Sequence, residues 1–243
     1  MSTAATPVAR LVLVRHGEST GNAAGRFTGW RDADLTDRGR QQASAAGALL
    51  AARGFTFTAV FTSMLRRAIA TADLMLAALG HPDLPRQARW RLNERHCGAM
   101  HGLTKAETYA RYGEEQGRVY RRSWDIAPPP ASVGSEDDPR ADPRYRQWRD
   151  ELPLSESMGD LWRRVDRVWR EDVAPLCAAG GRVLVVGHGM ALRAFARSVE
   201  GLAAPELPPW KLGSAAPRCY ELGPATKVLS VVDLMNAGDV PEE

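Results

Sequence analysis

Two short stretches of the chain share a design that suits phosphorus chemistry. Val12-Leu13-Val14-Arg15-His16-Gly17 and Leu184-Val185-Val186-Gly187-His188-Gly189 each run from consecutive aliphatic residues into His-Gly. If both are buried strands lying side by side, the two imidazoles face one crevice beyond the strand ends, where ligands of open parallel sheets bind. Each glycine lets backbone approach a ligand without a Cβ in the way. Two histidines, the adjacent Arg15 and exposed N–H groups make an anion pocket. An unprotonated imidazole is also a competent nucleophile toward phosphorus near neutral pH. The alternative is that each histidine only ends a strand and hydrogen-bonds a loop.

Other residue types extend the chemistry. The pattern SMLRRAIATADLMLAALG predicts a helix capped by Ser63, with Arg66 and Arg67 in its first turn. Cations there oppose the helix dipole unless an anion is bound at that N-terminus. One arginine is expected in the site and the other on the surface. Phosphoryl transfer to or from an alcohol needs a proton carrier, and Glu94 in RLNERHCGAMHGL is the leading candidate, its carboxyl raised in pKa by burial. Its plainer reading is a salt bridge to Arg91 or Arg95. Glu18 is the second candidate, better suited to orienting its loop. Lys105, Arg121 and Arg122 offer charge for a second anionic group on a substrate, or else form a solvated basic helix face. His96, Cys97 and His101 have the chemistry of metal ligands, but their spacing matches no closed zinc set, so no metal is expected. Cys97, flanked by basic residues and a histidine, is expected to be oxidation-sensitive.

The elements that must position these groups alternate. Leu11–Val14 reads as a strand buried on both faces, residues 36–54 as a helix capped by Thr36, and 57–62 as a short strand. A strand is expected near Ala88–Leu92, then a short helix over 104–112 and a basic helix carrying Arg118, Arg121 and Arg122. Residues 125–154, with Pro128, Pro129, Pro130, Pro139, Pro143 and Pro153, suit a surface excursion or lid. Helical spacing returns in Leu161, Val165, Val168, Trp169, Val173 and Leu176. The second aliphatic run spans 182–190, a helix follows it, and late strands are expected at 217–222 and 226–234. Alternating strands and helices predict an α/β fold with a mainly parallel sheet.

The 243 residues, 44% hydrophobic and 25% charged, suffice for one large core, and one domain over 1–243 is expected. A net charge of +3 argues against a nucleic-acid binder. Of the 32 basic residues only Lys105, Lys211 and Lys227 are lysines, and arginine grips phosphate in bidentate fashion. Three widely spaced cysteines suit a reducing cytoplasm, and the apolar runs are too short to span a bilayer. A cytoplasmic protein is expected.

These residues together resemble the 2,3-bisphosphoglycerate-dependent phosphoglycerate mutases of the histidine phosphatase superfamily. The resemblance covers about residues 9 to 238. LVLVRHGES, Asn22 and RFTGW (26–30) are broad features of the superfamily. LNERH (92–96), GLTKAET (102–108), the arginines at 121–122, DPRY (142–145) and ELPLSES (151–157) point to the mutase branch. The resemblance implies a three-layer α/β/α fold with a lid-like excursion over about 94–155. It implies that His16 becomes phosphohistidine and that Glu94 is the general acid/base. Arg67, His188 and Arg15 would hold the phosphoryl oxygens. Ser19, Asn22, Thr28, Gly29, Gly189 and Met190 would line the pocket, with Lys105, Arg121 and Arg122 on the far end of a phosphorylated three-carbon acid. It further implies 2,3-bisphosphoglycerate as phosphoryl primer, no metal, and a dimer or tetramer. Three departures stand out. Cys97 replaces a tyrosine, Met190 replaces an asparagine, and the stretch after Asn236 makes a short tail. All three bear on substrate grip and water exclusion. A phosphatase of the same superfamily and a non-catalytic anion binder are therefore the alternatives to the mutase.

Overall fold

The computed structural model describes residues 8–235, so the tail expected from about 237 lies outside the described residues. Strand β1 (Ala9–Arg15) and the one-turn helix α1 (Thr20–Ala23) lead to helix α2 (Asp37–Ala52), whose N-cap Thr36 accepts from Gly39 N as its sequence predicts. Strand β2 (Ala59–Thr62) precedes helix α3 (Arg66–Leu79). Here the sequence reading is corrected. The N-cap is Leu65, and Ser63 stands outside the helix, its hydroxyl bonded to the ring of His188. A buried imidazole without a partner is costly, and that contact outweighs a cap. The strand expected at 88–92 is displaced: β3 is Arg86–Ala88, and Trp90–Leu92 is a single 3₁₀ turn.

Helices α4 (Lys105–Tyr112) and α5 (Glu114–Arg122) follow, meeting at Gly113. Helix α6 (Met158–Val168) passes through a π-helical turn at Trp169–Val173 into α7 (Ala174–Ala178). Pro175 lies at the start of α7 and has no N–H to continue the α ladder, which accounts for the widened turn. Strand β4 (Arg182–Gly187), helix α8 (Gly189–Glu200) and strands β5 (Pro217–Leu222) and β6 (Val228–Asp233) complete the described chain.

The strands form one sheet in the order β3-β2-β4-β1-β5-β6. The first four are parallel, and β5 and β6 run antiparallel at one edge. Alternation along the two aliphatic runs explains the layers. Leu11, Leu13, Val183 and Val185 pack with residues of α6 and α8. Val12, Val14, Leu184 and Val186 turn to the opposite face, against α2 and α3. A strand covered on both faces must be apolar at every position, which is why both runs are unbroken. The protein is therefore a three-layer α/β/α fold with a mainly parallel sheet.

Register does the positioning. Arg15 pairs with Gly187 across β1 and β4, and His16 N donates to Gly187 O at 2.9 Å. Both His-Gly steps thus leave adjacent strands at one level. Gly17 is tightly constrained there, since a Cβ on it would strike the carbonyl of Gly39 in α2.

Leu13 is fully buried at the centre of this arrangement. Leu13→Ala should lower unfolding free energy by about 2–5 kcal/mol in urea titration. A loss below ~1 kcal/mol would contradict the packing described.

Candidate active site

The two imidazoles meet. The ring centroids of His16 and His188 lie 5.0 Å apart, and both residues are buried. His16 Nδ1 lies 2.7 Å from Gly17 O, and a carbonyl only accepts, so Nδ1 carries the proton. Burial, reinforced by the positive charges of Arg67 and Arg15, holds the ring pKa well below its usual range despite the Gly17 bond. The ring is neutral at pH 7 and Nε2 keeps its lone pair. Arg67 Nε donates to that nitrogen over a long 3.3 Å.

Arg67 is anchored by two loop carbonyls. Its Nη1 donates to Arg31 O at 2.8 Å and its Nη2 to Gly29 O at 2.7 Å. Burial lowers its pKa to about 10, against the opposing pull of Glu94 and Asp32, so it stays charged at neutral pH. Gly29 meets this role with a left-handed φ of +47°, and a Cβ there would run into the His101 ring. Arg66 turns outward to ion pairs with Asp32 and Asp34. The anion expected at the α3 N-terminus is internal to the protein: Asp32 Oδ1 accepts from Arg66 N at 2.7 Å. A carboxylate of the protein itself thus takes the first N–H of that helix and complements its dipole.

Glu94 forms no salt bridge to Arg91 or Arg95. Arg91 pairs with Glu151, and the Arg95 guanidinium donates to Tyr120 O and Glu156 O. Glu94 instead accepts backbone N–H bonds from Arg95 at 2.8 Å, and from Met190 and Ala191 at 3.2 Å. Its half-buried carboxylate therefore sits on the first turn of α8, directly after His188. A Cβ on Gly189 would meet Arg15 Nε and Glu94 Oε2, each at 3.9 Å, so Arg15 and Glu94 flank the second elbow. Glu18 holds its loop, its carboxylate accepting from Thr36 Oγ1 at 2.8 Å.

The remaining predicted residues divide. Ser19 and Asn22 bond to each other as the capping box of α1, and the Met190 amide is engaged by Glu94, so these polar groups are taken up within the protein. Thr28 Oγ1 bonds to Arg26 O and packs on Gly21. Arg121 lies over the rings of Phe27 and Tyr109 and donates to Tyr109 Oη at 2.8 Å, and Lys105 Nζ lies over the same Tyr109 ring. Phe27 is two residues from Gly29, which connects this basic shelf to the loop whose carbonyls hold Arg67. Arg122, the last residue of α5, is exposed.

Cys97 corrects an expectation. Its thiol is buried against Arg95 O, and burial pushes its pKa up to about 11, so it is protonated and shielded rather than reactive. His96 and His101 both face Asp137 of the Pro-rich excursion: His96 Nε2 donates to Asp137 O and His101 Nδ1 lies 3.6 Å from Asp137 Oδ1, while His101 Nε2 accepts from the amides of Trp30 and Cys97. Among the described residues no group of three or more His, Cys, Asp or Glu side chains is arranged to hold a metal ion.

Sequence reasoning missed several supports. Arg164 pairs with Glu156 at 2.6 Å, both buried, and donates to the carbonyls of Arg91, Asn93 and Glu94, which splints the Glu94 loop. The available signal was an arginine on the apolar face of α6, three residues after Leu161. Ser63, Asp32 and Tyr109 had no comparable signal.

The sequence profile of the histidine phosphatase superfamily (branch 1) matches residues 11–233. The chain belongs to that superfamily. A mycobacterial glucosyl-3-phosphoglycerate phosphatase, solved in complex with VO3, is 27% identical, with a TM-score of 0.66 over 87% of this chain and 92% of that one. A putative alpha-ribazole-5'-P phosphatase from Escherichia coli K-12 shares the fold at 23% identity and TM-score 0.70, over 97% and 99% of the two chains. A phosphoglycerate mutase from Bacillus anthracis shares it at 22% identity and TM-score 0.66, over 94% and 93%. No helix among the described residues is long and apolar enough to cross a membrane.

Two predictions follow from the geometry. Arg164→Ala strands the Glu156 carboxylate and should cost about 3–5 kcal/mol in chemical unfolding, whereas Arg163→Ala, at an exposed pair, should cost at most about 1. His16 and His188 both have depressed pKa values in the fold. Their contribution to stability is present above about pH 6.5 and is lost as pH falls below it, because the unfolded chain then takes up protons that the buried rings refuse. Thermal midpoints should decline from pH 6.5 toward 5 and less steeply in His188→Gln; equal slopes in the two proteins would contradict this.

Proposed function

We propose that the protein is a 2,3-bisphosphoglycerate-dependent phosphoglycerate mutase, interconverting 3-phosphoglycerate and 2-phosphoglycerate through phosphohistidine at His16. One observation carries the phosphohistidine chemistry: His16 is neutral, its proton is fixed on Nδ1 by Gly17 O, and its Nε2 faces the charge of Arg67. A nucleophile of this kind needs no base to activate it.

The residues then take the following parts. His16 Nε2 attacks phosphorus in line with the departing oxygen, whose proton balance falls to Glu94 beside the second elbow. Arg67, Arg15 and His188 hold the equatorial oxygens, where charge is concentrated in the transition state. The reverse transfer, from His16 to a hydroxyl of the glycerate, returns the proton to Glu94. Lys105 and Arg121, on the aromatic shelf that includes Phe27, suit the carboxylate or second phosphate of that substrate. 2,3-Bisphosphoglycerate would supply the phosphoryl group that first charges His16. Two groups of cations, one at the imidazoles and one on the shelf, fit a molecule with anions at both ends.

Phosphatase action on small phosphate monoesters is the second reading. Cys97 is turned into the protein against Arg95 O and offers the substrate no phenol at that position. Weaker closure over phosphohistidine admits water as the acceptor.

Assay with 3-phosphoglycerate, with and without 2,3-bisphosphoglycerate, separates the two. We expect primer-dependent formation of 2-phosphoglycerate; release of inorganic phosphate with no 2-phosphoglycerate rejects the mutase. His16→Ala should abolish either activity, by at least about 10⁴-fold. Lys105→Ala and Arg121→Ala should raise KM for phosphoglycerates more than for a phosphomonoester lacking a second anion.

A further inference from the structure

We infer that Ser63 is a positioning residue that fixes the tautomer of His188, making its Nδ1 a hydrogen-bond donor to the transferring phosphoryl group. Hydrogen-bond bookkeeping carries the inference, and it rests on the phosphohistidine reading for its purpose.

The Ser63 side chain is fully buried and makes two contacts. Its Oγ accepts from Leu65 N at 3.2 Å and lies 2.7 Å from His188 Nε2. A hydroxyl has one proton to give and two lone pairs. Were His188 to donate from Nε2, Ser63 Oγ would accept twice and its own proton would be buried without an acceptor. With Ser63 donating to Nε2, every group of the serine is satisfied. Nε2 is then the acceptor nitrogen of the ring.

Burial, with the added charge of Arg67, keeps His188 neutral, so its one ring proton is on Nδ1. That atom is buried and has no hydrogen-bond partner among the described residues. The ring stands 5.0 Å from the His16 ring, among the charges of Arg67 and Arg15. A donor without a partner beside a nucleophile for phosphorus calls for an anionic oxygen. The opposite tautomer would present a lone pair to that oxygen and repel it. Ser63 thus acts through His188, as the orienting partner of a functional imidazole commonly does.

The direct test is ¹⁵N NMR of the full-length protein labelled at histidine, with the His188 ring signals assigned by their loss in His188→Gln. The expected result at pH 7.5 is a protonated Nδ1 and an unprotonated, pyridine-like Nε2. The reverse pattern overturns the inference. In Ser63→Ala the proton should redistribute toward Nε2, and an unchanged tautomer there also overturns it. These readings need no turnover, so they stand apart from failure of the functional assignment. In kinetics, Ser63→Ala should lower kcat about 10- to 100-fold with little change in KM. Ser63→Thr, which keeps the hydroxyl, should recover most of it. A folded Ser63→Thr protein as impaired as Ser63→Ala would count against the hydroxyl's role, and its His188 tautomer remains measurable if Ser63→Ala does not fold.

Discussion

The site depends on one constraint: an imidazole kept unprotonated among fixed positive charges. Burial alone would lower the pKa of His16, and Arg67 and Arg15 lower it further. The same arginines are what a phosphoryl group requires, so one arrangement serves both the free nucleophile and its anionic partner. The cost is that Arg67 sits buried beside a ring that cannot neutralise it. Two loop carbonyls, those of Gly29 and Arg31, take its other donors without cancelling its charge. The carboxylates that act on Arg67 are engaged by backbone amides, Asp32 on the first turn of α3 and Glu94 on that of α8. The field at His16 Nε2 is left for a ligand.

Precision in this arrangement comes from the sheet and from a second layer of polar contacts. Adjacent parallel strands in register bring both His-Gly steps to the same level. The two faces of those strands are locked by separate apolar layers, so neither elbow can shift without disturbing packing on both sides. Around them, the buried Arg164–Glu156 pair fixes the backbone that carries Glu94, and Asn93 reaches Tyr145 in the excursion. Arg31 binds Asp137 there as well. The excursion is thereby fastened to the loops that shape the pocket.

Much of this could be read from the chain. Unbroken aliphatic runs marked strands covered on both faces, and the repeated His-Gly ending marked their common end. Arg66 and Arg67 do divide between surface and interior, although the anion expected at their helix end is the protein's own Asp32. What stayed hidden was pairing between distant segments. Ser63 looks like a helix cap because serine before a helical pattern usually is one, yet a histidine 125 positions later claims its hydroxyl. Asp32 neutralises a helix end that its own sequence neighbourhood does not mention. Cys97 follows Arg95 and His96, which suggests a reactive thiol, but burial, with Glu94 acting in the same direction, outweighs the lowering by Arg95. Periodicity describes which face is buried; it does not say which polar groups meet there.

Membership of the histidine phosphatase superfamily agrees with the neutral imidazole at His16, and the proposed function divides into a phosphoryl transfer at that ring and the choice of its acceptor. The measurement closest to the central claim is the chemical form of the charged enzyme. After brief exposure to 2,3-bisphosphoglycerate and an alkaline quench, ³¹P NMR and peptide mass spectrometry should find one acid-labile phosphate on His16, attached through Nε2. Phosphate that survives acid, or labelling that persists in His16→Ala, would contradict the account.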